Sequence, residues 1–226
     1  MVNKGLSGNQ LKLIALVTMT IDHIGLTLFP QVLWWRLVGR LAFPIYAFLV
    51  AEGCLHTRSM PKYLRSMGLM ALLCQVVYFV AMGSLYQCIL VTFSLSIALC
   101  MVVKKTKKEK SFLWYSLTVL AVVAVWILTE ELPLLLSYTD YGIDYGFLGV
   151  MLPVVLYLTP SKVWKLLATT GILLLMSATN WVQLPSVLAV LFLALYNGTR
   201  GKWKLKHAFY WYYPIHLVVI HGISLL

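Results

Sequence analysis

The feature that most constrains this chain is a series of apolar runs, several of about twenty residues, separated by short polar segments. A helix needs roughly 20 apolar residues to cross the hydrocarbon of a bilayer. Only 11% of the residues are charged, whereas a soluble domain of ordinary composition carries about a quarter. We therefore predict an all-α fold, a polytopic transmembrane helical bundle that forms a single domain over residues 1–226.

The apolar runs predict about nine membrane spans. The first five and the last are long and apolar throughout, whereas the sixth to eighth are short. Around Thr179 and Asn180 the connection is so tight that two half-helices remain an alternative. The predicted spans are 11–29, 33–55, 63–82, 85–103, 112–129, 146–159, 163–178, 181–196 and 208–225.

The basic residues indicate how these spans are oriented. Numbered from a cytoplasmic N-terminus, the loops place 16 of the 18 basic residues on the cytoplasmic side, as the positive-inside rule requires. The longest opposite segment, residues 130–145, is acidic, and nine spans leave the C-terminus outside. The net charge of +11 therefore indicates topology rather than nucleic-acid binding. These 16 residues are Lys4, Lys12, Arg58, Lys62, Arg65, Lys104, Lys105, Lys107, Lys108, Lys110, Lys162, Lys165, Arg200, Lys202, Lys204 and Lys206.

Two arginines are exceptions to this distribution, because Arg36 and Arg40 both lie within the second predicted span. Their spacing of four residues places them on one face of a helix. A charged side chain inside a membrane is costly and marks a candidate functional site. We interpret Arg36, which lies beside Trp34 and Trp35, as reaching the outer interface, and we keep it as a substrate-binding candidate. Arg40 lies deeper in the span.

A polar pocket is predicted around Arg40. Pro44 cannot donate a hydrogen bond to the Arg40 carbonyl, so the second span should kink there. Asp22 and His23 interrupt the first span, and the short turn between the two spans predicts an antiparallel hairpin. Counted from that turn, His23 and Arg40 lie at about equal depth, roughly 10–13 Å at 1.5 Å per residue. His23 is the candidate general base, with Asp22 either orienting it or neutralising Arg40.

The last predicted span adds His216 and His221 to the outer half of the membrane, where the topology allows His216 to face His23 and Arg40. Pro214 loosens the helix just before His216. The acidic outer segment brings Asp144 toward the same side. For each of these residues, a purely structural interhelical hydrogen bond is the alternative.

A second polar set lies toward the cytoplasmic ends of the spans. Glu52 and His56 are four residues apart and able to pair. The neighbouring basic and amide side chains are suited to holding phosphate groups, although ordinary cytoplasmic loop residues are an equal alternative. They are Arg58, Lys62, Arg65, Asn197 and Arg200. The four cysteines, Cys54, Cys74, Cys88 and Cys100, fall singly in apolar surroundings, and we predict no metal site.

Five segments, in order along the chain, carry a family resemblance: LKLIALVTMTIDHIG, WRLVGRLAFPIYAFLVAEGCLHTR, DYGFLGV, LYNGTRG and YYPIHL. Together they resemble the TraX family over nearly the whole chain, while residues from about 81 to 131 are only generically apolar. TraX proteins acetylate the N-terminus of conjugative pilin. They are similar to the wider superfamily of membrane acyltransferases that modify sugars.

The resemblance implies an enzyme of the bacterial inner membrane. It implies that acetyl-CoA, or another acyl-CoA, serves as co-substrate, and that the acceptor is a pilin-like peptide or a glycan. By motif position, His23 and Arg40 correspond to the intramembrane His and Arg of that superfamily. Glu52, His56, Asp144, Arg200 and His216 also lie in family motifs.

These observations lead to three hypotheses for function. The first is an acyltransferase in which His23 is the base, Asp22 orients it, and Arg40 stabilises the developing oxyanion. The second is a transporter or flippase, because intramembrane charges and proline-broken helices also mark transport pathways. The third is a non-catalytic assembly factor. No metal and no nucleic-acid partner are predicted, and a homodimer is left open.

Overall fold

The computed structural model describes residues 5–203 and 206–225, so Lys4 and Lys204 of the predicted cytoplasmic set lie outside the described residues. Within the described residues the chain forms helices and turns, with no β-strand. The α-helices are α1 Gly8–Leu28, α2 Leu33–Gly39, α3 Ala42–His56, α4 Met60–Met82, α5 Ile89–Glu109, α6 Phe112–Trp126, α7 Leu132–Leu135, α8 Gly146–Leu158, α9 Lys162–Thr179, α10 Ala189–Ala194 and α11 Lys206–Ser224. A π-helical turn, Ile127–Glu131, joins α6 to α7, and a 3₁₀ helix, Trp181–Leu188, precedes α10.

The chain divides into two compact units, and the division falls inside α3. The first unit combines Met1–Leu49 with Thr159–Leu226, and the second is Val50–Leu158. In the first unit, α1 packs against α2 and α11, while the 3₁₀ helix packs against α2 and α9. Its buried residues include Leu11, Ile45 and Leu193.

Helix α5 is the centre of the second unit. It packs against α4, α6 and α8, and its buried residues include Ile97. Ser96 is fully buried, and its hydroxyl donates to the Val150 carbonyl of α8 at 2.8 Å. This interhelical hydrogen bond satisfies the hydroxyl without exposing it to lipid.

Five helices in the described part of the chain are long and apolar enough to cross a membrane. They are Gly8–Leu28, Leu33–His56, Met60–Val80, Ile89–Glu109 and Phe112–Leu135. They correspond to the first five predicted spans, so the all-α membrane fold is confirmed at this level. The helices later in the described chain are not among these five: Gly146–Leu158 has 13 residues, Lys162–Thr179 has 18 and Lys206–Ser224 has 19.

Three predicted spans differ from the observed helices in continuity or form, and the fourth is shifted, because α5 continues to Glu109 and includes four lysines of the predicted loop: Lys104, Lys105, Lys107 and Lys108. The second is interrupted, because Arg40 and Leu41 form a turn between α2 and α3, as the position of Pro44 predicted. The fifth continues past its predicted end at Thr129 through the π turn to Leu135. The eighth begins as a 3₁₀ helix that contains Pro185 and is capped by the Asn180 side chain, which accepts from the Val182 N–H at 3.2 Å.

Candidate functional site

Two glycines allow the hairpin of α1 and α2 to close tightly. A Cβ atom on Gly39 would lie 2.2 Å from the Cβ of Asp22, and one on Gly25 would lie 2.1 Å from the Cβ of Trp35. Both distances are far below van der Waals contact, so only glycine fits at either position. The turn is closed by a hydrogen bond from the Val32 N–H to the Phe29 carbonyl, at 2.9 Å. The predicted antiparallel hairpin is therefore confirmed.

This close approach forms an ion cluster of one carboxylate and two guanidinium groups. Asp22 Oδ2 accepts from Arg36 Nη1 at 2.7 Å, and both Asp22 oxygens lie 2.8 Å from Arg40 Nη2. The side chains of Asp22 and Arg40 are only 13% and 9% exposed. One negative and two positive charges leave this cluster with a net charge of +1. The predicted contact between Asp22 and Arg40 is confirmed, but Arg36 is paired within the cluster rather than simply reaching the interface.

His23 faces a different helix from Asp22. Its Nδ1 lies 3.0 Å from Nε2 of His216 on α11, and the ring centroids are 4.9 Å apart. His216 is 5% exposed, and its Nδ1 lies 2.9 Å from the carbonyl oxygen of Tyr212. Because adjacent residues on a helix point about 100° apart, the Asp22 carboxylate binds the arginines while His23 meets His216. Of the two expectations for Asp22, the contact with Arg40 is observed, whereas the ring of His23 contacts His216 instead of Asp22.

Aromatic rings enclose the two histidines. Tyr212 stacks on His216, with ring centroids 5.1 Å apart and planes inclined by 10°. Tyr213 contacts both histidine rings edge to face, at 6.1 Å from His23 and 5.3 Å from His216. The Thr20 and Tyr212 hydroxyls are 2.7 Å apart and hydrogen-bonded, which ties α1 to α11. These tyrosine contacts restrict the orientation of both imidazole rings.

The predicted residues Asn197 and Arg200 lie in a segment that caps the start of α1. The Gly8 and Asn9 N–H groups donate to the carbonyls of Thr199 and Arg200, at 2.8 and 2.9 Å. Helix N-termini leave such N–H groups without partners inside the helix, so this segment satisfies them. The Asn197 side chain donates to the Gly5 carbonyl at 3.3 Å and accepts from Thr199. The Arg200 side chain is exposed.

The second unit holds the other predicted phosphate-binding residues. His56 Nδ1 lies 2.9 Å from the Glu52 carbonyl oxygen and 3.8 Å from its carboxylate. The predicted pair is therefore observed, although the shorter contact goes to the backbone. The His56 ring is 73% exposed, and Arg58 and Lys62 are exposed as well. All three are accessible to a ligand in water.

Asp144 is hydrogen-bonded to the α4–α5 turn and to α5 within the second unit. Its carboxylate accepts from the Tyr86 hydroxyl at 3.1 Å, and its carbonyl accepts from Thr92 at 2.6 Å. Its N–H donates to the Gln87 carbonyl at 3.0 Å. A nearby acidic residue of the predicted outer segment, Glu130, lies within the π turn instead and accepts from the Phe147 N–H at 2.7 Å. These contacts give both residues structural roles at helix ends.

Sequence reasoning missed three residues that the fold brings into use. Tyr212 precedes His216 by four residues, a spacing that brings two side chains together on one helix face and so could have predicted their ring stacking. Thr20 gave no indication, because its partner lies 192 residues away. Lys165 was assigned to a cytoplasmic loop, yet it is 7% exposed and its Nζ lies 5.7 Å from the centre of the Phe48 ring.

The helices and the buried polar centre together define an all-α membrane protein with a buried cluster of ionisable side chains. The family model described as TraX protein matches residues 7–224, and the chain belongs to the TraX family. It is 27% identical over 248 residues to "Probable fimbrial assembly protein FimC, serogroup H1" of Dichelobacter nodosus. The alignment covers 96% of each of the two chains. It is also 46% identical to an uncharacterized protein of Rickettsia prowazekii over 46 residues, or 20% of this chain and 18% of that one. No solved structure matches significantly.

Proposed function

We propose that this chain is a membrane acyltransferase that moves an acyl group, with acetyl as the favoured case, from cytoplasmic acyl-CoA to an amine or hydroxyl acceptor. The acceptor lies at or beyond the bacterial inner membrane. One observation carries the proposal: a buried cluster with a net positive charge lies beside a histidine pair, and both centres draw residues from helices that are long and apolar enough to cross a membrane. Family membership and the relative named for fimbrial assembly favour a pilin-like peptide, with a surface glycan as the next candidate.

The excess positive charge suits acyl transfer. When an acceptor attacks a thioester, the carbonyl oxygen gains negative charge, and preformed donors stabilise that charge in a water-poor site. Arg40 is the more deeply buried guanidinium, and Arg36, at 26% side-chain exposure, is the more accessible one. Asp22 holds both in place without neutralising the pair. Donors of this kind contribute about 3–4 kcal/mol each to the transition state.

His23 supplies the base in this mechanism. It removes the proton from the acceptor amine or hydroxyl as the new C–N or C–O bond forms. The tetrahedral intermediate then expels the CoA sulfur, which breaks the C–S bond. His23 returns its proton to the leaving thiolate, so CoA departs as the thiol and the base is regenerated. A direct transfer of this kind needs no covalent enzyme intermediate, and an acyl-histidine route is the variant to be tested against it.

The donor is proposed to enter from the cytoplasmic side. In the proposed topology of nine spans, with the N-terminus inside and the C-terminus outside, Arg58, Lys62 and Arg200 are cytoplasmic and offer positive charge to the CoA phosphates. Glu52, His56 and Asn197 lie beside them in sequence. Asp144 is on the opposite side, at the acceptor end.

Mass spectrometry of cell-surface proteins and glycans tests this proposal. Cells that express the wild-type chain should carry a surface molecule heavier by one acetyl group than the same molecule from cells without it. Cells that express His23→Gln should lack that mass shift although the variant is present in the membrane. His221→Gln is the matched control on α11, because His221 lies outside the cluster. An unchanged surface profile in the absence of the chain would contradict acyl transfer.

A transporter is the second candidate, because the span formed by α2 and α3 is interrupted between them at a charged residue, Arg40. Broken helices with charged residues near the break also form substrate sites in transporters. Thermal unfolding of the purified chain with acetyl-CoA separates the two functions. An acyltransferase should be stabilised by acetyl-CoA in a concentration-dependent manner, whereas a transporter of another solute should not.

A further inference from the structure

The contact between His23 and His216 shows which ring nitrogens of the two imidazoles carry a proton. An imidazole in its neutral form has one ring N–H, which donates, and one bare nitrogen, which accepts. Two neutral imidazoles joined by one hydrogen bond therefore adopt one of two arrangements, with the donor on either ring. Which arrangement holds is determined by the other hydrogen bonds of the two rings.

The Tyr212 carbonyl fixes the arrangement. A carbonyl oxygen only accepts, so His216 Nδ1, at 2.9 Å from it, carries the proton. Neutral His216 then has a bare Nε2. His23 Nδ1, at 3.0 Å from that nitrogen, must be the donor. Both protons of the pair are thereby placed on Nδ1 atoms, and His23 is left with a bare Nε2.

The surroundings keep His216 neutral, as this assignment requires. A charged His216 would lie against His23, which is next in sequence to Asp22, and the cluster of Asp22 with Arg36 and Arg40 already sums to +1. His216 is 5% exposed, and burial disfavours a charge that has no counter-ion. The residues of α11 that face it, Tyr212 and Tyr213, offer rings rather than carboxylates.

A second hydrogen-bond chain holds His216 in position. The Thr20 hydroxyl lies 2.8 Å from the Leu16 carbonyl, to which it donates, so it accepts from the Tyr212 hydroxyl at 2.7 Å. Tyr212 is thereby anchored to α1 while its ring stacks on His216. The His216 ring is fixed by its own backbone contact on one edge and by this stack on one face.

We propose that His216 is a positioning residue that holds His23 as the Nδ1–H tautomer, with Nε2 free to take the acceptor's proton. This inference rests on the proposed function for its consequence, since it assigns the orienting role to His216 in the acyl-transfer mechanism. When His23 takes a proton at Nε2 it becomes positively charged, and its Nδ1–H then donates more strongly to His216. His216 thus supplies, without a negative charge, the support that a carboxylate gives in hydrolase triads.

Solid-state NMR of isotope-labelled histidine ring nitrogens, on the whole chain in lipid, tests the assignment directly. The His23 resonances, identified by their loss in His23→Gln, should show a protonated Nδ1 and a bare Nε2. In His216→Phe, which keeps an aromatic ring but has no acceptor nitrogen, the His23 signals should no longer show that single tautomer. A protonated Nε2 on wild-type His23 would overturn the proposal, whatever the chain's activity.

Kinetics test the role of the contact. With acetyl-CoA and a synthetic peptide that bears a free N-terminal amine, His216→Phe should lower kcat by about 100-fold, the low end for a lost proton-transfer arrangement, with little change in the KM for acetyl-CoA. His216→Gln, which keeps an acceptor oxygen, should recover about tenfold of that loss. Wild-type kcat in a folded His216→Phe would overturn the positioning role. Failure of the proposed function is distinct, because the wild-type chain would then transfer no acetyl group, whereas the NMR assignment does not depend on activity.

Discussion

The hairpin of α1 and α2 and the hairpin of α4 and α5 are built in opposite ways. Both join apolar helices through short turns, residues 29–32 and 83–88. In the first hairpin the charges lie away from its turn, where Asp22 of α1 meets Arg36 of α2 and Arg40 just after α2, at the tight approach allowed by Gly39. In the second, the buried positions include Met67, Cys74 and Ile97, and the acidic contact is at the turn, where Asp140 binds Ser84 and Leu85.

This difference bears on the role of the buried charges of α1 and α2. The α4–α5 pair shows that apolar and small side chains are sufficient to pack two helices of this chain together. Replacing a buried ion cluster by apolar residues is often neutral or stabilising, so the α1–α2 cluster is a poor device for packing. Its retention beside His23 fits a chemical role. Several substitutions distinguish the two hairpins.

Removing the shared carboxylate should have the largest effect. Asp22→Asn leaves two guanidinium groups without their anion in a mostly buried site, and we expect the free energy of unfolding to fall by about 3–5 kcal/mol. Denaturant unfolding in detergent micelles measures this change. Asp140→Asn is the matched substitution at the exposed turn of the other hairpin, and its effect should be much smaller. An equal loss of unfolding free energy in the two variants would contradict the claim that the two hairpins are built differently.

The second-largest difference in stability between the two hairpins is expected when a single methyl group is added to each. In Gly39→Ala the added Cβ would meet the Asp22 side chain at 2.2 Å, so we expect a loss of about 1–3 kcal/mol from overpacking. In Gly68→Ala on α4 the added Cβ has no neighbour within 4 Å, and the better helix propensity should stabilise the chain by about 0.5–1 kcal/mol. The same unfolding assay compares them. Stabilisation by Gly39→Ala would show that the close approach is not required.

The smallest effect is expected from pH at the α4–α5 turn. Hydrogen bonds from the Ser84 hydroxyl and the Leu85 N–H lower the pKa of Asp140 below its usual value. A lowered pKa contributes stability that is present above the unfolded-state pKa, about 3.9, and is lost as the pH falls through the lower folded-state value. Protection of the Leu85 amide from hydrogen exchange should therefore hold down to about pH 4 and weaken below it. In Asp140→Asn that dependence should disappear.

The sequence predicted the parts of the site that depend on one hairpin. The depth count from the short turn brought Asp22 to Arg40, and Pro44 predicted the interruption at Arg40. Both inferences use only helix geometry over a few turns. Arg36 was misinterpreted because its tryptophan neighbours are typical of an interface, and the tight approach at Gly39 that brings it to Asp22 has no pattern in sequence.

The atomic detail of contacts between distant helices could not be predicted. His23 and His216 are 193 residues apart, and only the packing of α1 against α11 aligns their ring nitrogens. The predicted topology allowed His216 to face His23 and Arg40, and the contact with His23 is observed, but which ring nitrogens meet was not predictable. Likewise, the eighth span was drawn from hydropathy alone, whereas Asn180 and Pro185 start the segment as a 3₁₀ helix. Hydropathy indicates that a segment is buried in lipid, not which helical form it takes.

The most direct test of the central claim is acetyl transfer by the purified chain in lipid nanodiscs, with radiolabelled acetyl-CoA and a peptide that bears a free N-terminal amine. We predict label on the peptide with the wild-type chain and with His221→Gln, and a loss of at least about 100-fold with His23→Gln, the usual contribution of a general base. Folding of each variant is checked by gel filtration in the same lipid. Transfer by folded His23→Gln at the wild-type rate would contradict the account.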